Sequence, residues 1–313
     1  MAPPAPRLGG YALKFEIGYF TLWAPRLAVV IEECEVVPGM TADALPIDAR
    51  RLPRAATGLL RRSEPCAELS PTIARCDGLL RYVLSRFERR FVDLGGDFEA
   101  YLGKFSAKSR STLKRKVRKF AELSGGRIEW RQYRAPDELV EFHAQAREIS
   151  RHSYQEKLFN AGLPTDEDFL AGMRVQARQG RVRAYLLFLE GRAISYLYCW
   201  ASGGRLQYGY LGFLPEHASH SPGTVLQYLA LEALFAEQAF ALFDFTEGDG
   251  DHKRLFATDS VPCATVLYLR PSPTSLFLLG GHRLISWSSA LTASIVDRMG
   301  IKARLRQLLR GQR

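Results

Sequence analysis

The sequence predicts a mixed α/β fold: a mostly antiparallel sheet with some parallel pairing, flanked by helices. Three observations carry this reading. From residue 127 onward the apolar spacing switches back and forth between helical and strand periods. The run "VRAYLLFLEGRAISYLYCWASGGRLQYGYLGF" (182–213) holds three strand-like pieces separated by "EGR" and "SGG", an antiparallel meander. The 313 residues are 47% hydrophobic and 24% charged, which is core enough for one large domain or two small ones.

In chain order, "YALKFEIGYFTLWAPRLAVVI" carries Lys14, Glu16, Pro25 and Arg26. Those residues spoil a membrane-spanning helix and suit two strands around a turn at Ala24-Pro25. Residues 38–78 are rich in Pro, Arg and Ala and predict loops with short helical pieces. "RRFVDLGG" (89–96) reads as a strand closed by glycines, and Asp97 as the cap of a short helix, "FEAYLGKF". In 106–123, Leu113, Val117 and Phe120 form one thin apolar stripe among Lys108, Arg110, Lys114, Arg115, Lys116, Arg118 and Lys119. "RIEWRQY" alternates as a strand. Helices are predicted over 136–154, over 165–180 with Thr165 as cap, and over 223–239. "FALFDF" (240–245) and "CATVLYLRP" (263–271) are the remaining strands, and the tail from 275 turns from apolar to basic and amphipathic.

Chemistry concentrates in two places. "GYLGFLPEHASHSPGTVLQYL" (209–229) ends a strand and opens a helix: Ser221 is placed to cap it, Pro222 suits its first position, and Gly223 and Thr224 offer backbone N–H groups to an anion such as phosphate. A good helix start with no ligand is the plain alternative. Second, "DFTEGDGDHKRLFA" (244–257) crowds Asp244, Glu247, Asp249, Asp251, His252 and Lys253 behind a core strand. The spacing misses the calcium-loop pattern, and no paired cysteine or H-E-x-x-H motif is present, so no metal is expected. A solvated turn is one reading. The other is a carboxylate, or His252, taking a proton from a nucleophile while Lys253 neutralises the acids or reaches a phosphate.

These stretches, in this order, resemble the GNAT acetyltransferase superfamily, and more closely its CelD-type branch, associated with cellulose and other polysaccharide synthesis. "SAKSRSTLKRK" (106–116) matches a basic S-x-K-x-R helix, Ser221-Pro222-Gly223 an S-P-G before the central helix, and "DFTEGDGDHK" (244–253) a D-F-x-x-G-D/E-x-x-Y-K block. His252 stands where that block usually has Tyr, and the superfamily's R/Q-x-x-G-x-G/A signature is absent. The resemblance covers roughly residues 88–271. It divides the chain into a partial or degenerate N-terminal region (1–87), an acyltransferase domain (88–271) and a basic amphipathic tail (272–313).

The resemblance implies that two neighbouring parallel strands, 205–213 and 240–245, splay apart. Acetyl-CoA or another acyl-CoA would lie in the splay, its pyrophosphate on the start of helix 223–239 and Lys253. The implied reaction is direct transfer to an amine or hydroxyl of a small molecule, sugar or polysaccharide precursor. Backbone N–H groups at Leu211 or Gly212 would polarise the thioester. Asp244 or Glu247 would be the base, with His252 third, and Tyr208 or Tyr210 would protonate the leaving thiolate. Cross-strand packing is the plain role for either Tyr.

The net charge of +10 favours a polyanionic or anionic partner. It keeps open nucleic-acid binding through 106–120, a Fem-type transferase that takes its aminoacyl group from tRNA, and an envelope protein touching the membrane's inner face through 293–311. Cys34, Cys66, Cys76, Cys199 and Cys263 are odd in number and lack a C-x-x-C, as free thiols in a reducing compartment would be. "MAPPAPRLGG" has no apolar signal core, so a soluble cytoplasmic protein is the expectation.

Overall fold

The computed structural model describes residues 7–18, 20–40, 47, 49, 52–67, 70–152, 162–248 and 250–298, the last nine as backbone. Asp249 and the basic segment 299–313 lie outside the described residues. The described strands are β1 (Arg7–Ala12), β2 (Phe15–Ile17), β3 (Phe20–Trp23), β4 (Arg26–Glu33), β5 (Gly58–Pro65), β6 (Ile73–Cys76) and β7 (Leu79–Asp93). Then come α1 (Phe98–Gly103), α2 (Ala107–Leu123), β8 (Trp130–Tyr133), α3 (Glu138–His152), α4 (Glu167–Arg178), β9 (Val182–Leu189), β10 (Arg192–Ser202) and β11 (Arg205–Phe213). After a 3₁₀ turn, Pro215–His220, follow α5 (Pro222–Glu237), β12 (Leu242–Asp244), α6 (Asp251–Phe256), β13 (Asp259–Leu269) and α7 (Pro273–Arg298). The architecture is mixed α/β, with parallel and antiparallel strand pairs in the sheet and helices flanking it.

Two compact units emerge. One comprises 37–40 and 87–261 of the described residues. Its strands run β7-β12-β11-β10-β9-β8, all neighbours antiparallel except β11 and β12. α5 is apolar nearly all round and correspondingly buried, with Val225, Leu226, Ala230, Leu231 and Leu234 fully enclosed. α2 seats its narrow seam, Leu113 and Phe120, in the same core and leaves its cations outward. Asp97 caps α1 through the Ala100 N–H, as its position predicts, and Ser106 caps α2 through that of Ser109. Asp166, not Thr165, caps α4, accepting from the Phe169 N–H.

The other unit comprises the described residues of 4–36, 41–86 and 262–313. Here β4 and β5 are parallel, β1 flanks β4 and β13 flanks β5. The loop expected over 38–78 therefore contains two strands, β5 and β6. The signal is hidden in β5 because buried Arg61, Ser63 and Glu64 break its apolar pattern. Burial is tolerated because each polar group has a partner: Arg61 Nε donates to Glu32 at 2.6 Å, and Glu64 accepts the Tyr268 hydroxyl at 2.8 Å. The two strands expected around Ala24-Pro25 are β3 and β4, and the same segment also holds β2 and the end of β1.

Candidate active site

β11 and β12 are hydrogen-bonded neighbours over only Arg205–Leu242, Leu206–Phe243 and Gln207–Asp244. β11 continues to Phe213 while β12 ends at Asp244, so the strands part beyond Gln207. The parting opens a cavity of about 510 Å³ lined by Tyr208, Leu211, Gly212, Phe213, Pro215, Ala218, Ser221, Gly223, Thr224, Gln227 and His252. Its walls are mostly apolar, with a few polar groups converging on them, the usual make-up of a small-molecule site.

A bulge in β11 decides which side chains face this cavity. Tyr198 pairs with Tyr210 and Cys199 with Tyr208, leaving Gly209 as the extra residue. Without it Tyr208 and Tyr210 would share a face. With it they part: Tyr208 lines the cavity, whereas Tyr210 packs edge-on against Phe169 of α4 at 5.9 Å. Only glycine fits at the bulge, since a Cβ there would sit 2.1 Å from Trp200 and 3.0 Å from the Tyr198 carbonyl oxygen. An isolated Gly in a strand is the sequence mark of such a bulge.

The start of α5 forms one wall. Ser221 adopts the left-handed conformation, and its side chain makes no capping hydrogen bond, contrary to the expected cap. The first-turn amides of Gly223 and Thr224 are thereby left without a side-chain acceptor. The space that Gly223 preserves is filled by protein: a Cβ there would lie 3.0 Å from Leu211 and 3.4 Å from Phe213. Gly223 thus serves close helix–strand packing. Along β11, Leu214 gives its N–H to Ile194 and Gly212 accepts the Ser195 hydroxyl, each at 2.9 Å. Strand alternation then turns the backbone of Leu211, rather than Gly212, toward the parting.

Tyr208 and His252 also line the cavity, Oη to Nε2 3.2 Å. Burial, with the neighbouring Lys253 charge adding to it, pushes His252 down from 6.5 to about 4, so the imidazole is neutral at pH 7. Burial drives the Tyr208 phenol up, which keeps it protonated. α6 explains the placement: the acid-rich segment expected as a loop becomes helical at Asp251, turning His252 into the cavity and Lys253 into the protein.

Asp244, Glu247, Tyr210, Pro222 and Lys253 are not among the cavity-lining residues. Asp244 is fully buried and held by Arg89 at 2.8 Å, and it also accepts the Thr246 N–H. Lys253 is buried and donates to the Phe245 and Glu247 carbonyl oxygens at 2.8 and 2.5 Å, tying down the acid loop. Glu247 is exposed at that loop. Asp249 lies outside the described residues. Arg89 and Gln227 were not anticipated from sequence. Gln227 is 1% exposed, lines the cavity, and its side-chain Nε2 has no hydrogen-bond partner. Its one sequence mark is a lone amide inside the otherwise apolar "TVLQYLAL".

Solved structures similar to the chain include the C-terminal domain of an Agrobacterium fabrum protein described as a lysylphosphatidylglycerol synthetase (12% identity, 73% of this chain and 72% of that one, TM-score 0.48). FemX (12%, 71% and 68%, TM-score 0.43) and a GCN5-related N-acetyltransferase from Kribbella flavida (16%, 68% and 67%, TM-score 0.35) are others. Likenesses this distant carry no argument about activity. No curated protein matches the chain. Residues 107–254 match the family model described as an acetyltransferase (GNAT) domain, and they span β11, the start of α5, β12 and α6 as far as Arg254. Over these residues the chain is similar to GNAT acetyltransferase domains.

Proposed function

We propose that this domain takes an acyl group from acyl-CoA, acetyl-CoA in the simplest case, and transfers it to an amine or hydroxyl of a sugar or polysaccharide-precursor acceptor. The observation that carries the reading is the parting of β11 and β12, with the uncapped start of α5 opening onto it. The residues present suit a long donor with amide-bearing and anionic parts. The Gly223 and Thr224 amides favour a phosphate, and the Gln227 side-chain Nε2 is a buried donor on the cavity wall that a ligand acceptor would satisfy.

The bound thioester supplies the activated acyl carbon. The protein's own residues do the rest. The Leu211 amide, turned to the cleft, is the donor that stabilises charge on the acyl oxygen. As the acceptor's nitrogen or oxygen bonds to the acyl carbon and the carbon–sulfur bond breaks, Tyr208 delivers its proton to the departing sulfur. His252, neutral and carrying its proton on Nε2, donates to the Tyr208 oxygen and steadies the phenolate that results. Asp244 is committed to Arg89, so the acceptor's proton passes to solvent or to Glu247, the exposed carboxylate that follows β12. α2 passes beside the 3₁₀ turn that lines the cavity, and its outward cations suit an anionic acceptor.

The test is calorimetric titration of acetyl-CoA into wild type and Thr224→Glu. The added carboxylate sits at the amides without entering the Leu211–Gly223 packing. Wild type should bind and the variant should lose at least about tenfold in affinity. Wild type that ignores acetyl-CoA, yet turns over aminoacyl-tRNA, would replace this reading with aminoacyl transfer.

A further inference from the structure

The exposed aromatic side chains of the second unit are gathered, not scattered. Among the described residues, every Phe or Trp that is exposed lies on the β2–β3 hairpin or on α7: Phe20 (77%), Trp23 (49%), Phe277 (72%) and Trp287 (64%). Leu22 and Leu284 extend the same two elements' apolar surface. On α7, positions 277, 284 and 287 are seven and ten residues apart and share one stripe. The hairpin lies along that helix. Gly18 N–H donates to Ser289 Oγ at 3.1 Å, and the Phe15 and His282 rings meet edge-on at 5.3 Å.

A patch of this kind costs solubility unless something covers it. Its rim is cationic: Lys14, Arg26 and Arg283 are exposed on the same segments. The one acid of the hairpin, Glu16, accepts the Thr21 hydroxyl at 3.0 Å. A second copy of the chain would bring like charges together across the contact. An anionic bilayer satisfies both features at once, since Trp and Phe settle at the headgroup boundary and Lys and Arg meet lipid phosphates. No described helix is long and apolar enough to cross a membrane. The chain beyond Arg298 adds Lys302, Arg304, Arg306, Arg310 and Arg313 to the same end of the sequence.

We propose that the β2–β3 hairpin and the outer stripe of α7 form a peripheral docking surface for an anionic lipid bilayer. The surface lies on the bilayer without spanning it, with the aromatic rings seated in the interface and the cations at the phosphates.

The full chain should co-sediment with phosphatidylcholine vesicles containing phosphatidylglycerol about tenfold better than with phosphatidylcholine alone, and high salt should weaken that binding. Brominated lipid should quench tryptophan emission, and Trp23→Phe/Trp287→Phe should abolish the quenching. Two double variants, Phe20→Ser/Leu22→Ser and Leu284→Ser/Trp287→Ser, change exposed positions and should keep the wild-type thermal midpoint. Each should bind anionic vesicles about tenfold less well. Absence of binding by wild type, or undiminished binding by both variants, overturns the proposal. So does a wild-type dimer in vesicle-free buffer that the same substitutions dissociate, because the patch would then be a contact between copies.

Discussion

Arg89 grips both carboxylate oxygens of Asp244, 2.8 Å at the nearest, with 4% and 0% of the two side chains exposed. The pair joins β7 to the end of β12 and leaves Asp244 no face toward the cavity. Removing one member strands a buried charge, which costs about 3–5 kcal/mol. Asp244→Ala should lower stability by that order in urea denaturation. Arg89→Met/Asp244→Leu should recover most of the loss. An Asp244→Asn protein of wild-type stability without turnover would instead make Asp244 a chemical participant.

His252 should make stability depend on acid. Its pKa falls from 6.5 to about 4 on folding, so the unfolded chain binds the proton more readily. The contribution of the neutral ring is fully present above about pH 6.5 and is lost as pH drops through that value toward 4. Thermal midpoints recorded across this window should decline for wild type and flatten for His252→Phe. A parallel decline in the variant would assign the effect to other groups.

Gln227 predicts effects of opposite sign on stability and binding. Replacing a buried amide whose Nε2 is unpartnered by an apolar side chain of similar length removes a desolvation cost of about 1–3 kcal/mol. Gln227→Met should therefore melt no lower than wild type without ligand, and should bind acetyl-CoA about five- to tenfold more weakly. Reduced stability with unchanged affinity would mean that the amide is structural.

Gly209→Ala should cost about 1–3 kcal/mol, because the new methyl must displace the Trp200 ring and crowd the Tyr198 carbonyl. The same change should disturb Tyr208, which the bulge turns inward. Acyl transfer is expected to fall more than acetyl-CoA affinity in this variant, checked by comparing kcat with the dissociation constant. Equal losses would separate the bulge from the chemistry.

Local regularities made much of this protein readable. The Leu113 and Phe120 seam, the "EGR" and "SGG" breaks and the Asp97 cap act within a turn or two of chain, and the elements form where those patterns lie. The same locality explains why the Ser221-Pro222-Gly223 helix start and the "DFTEGDGDHK" block stand out in the sequence. What tertiary structure alone decided is partnership. Whether Asp244 meets a substrate or an arginine depends on Arg89, 155 residues earlier. Whether Tyr208 or Tyr210 faces the cavity depends on one bulged glycine under Trp200. β5 was invisible because its polar residues find partners in β4 and β13. Burial, pairing and pKa belong to neighbours in space, and a linear pattern records only neighbours in sequence.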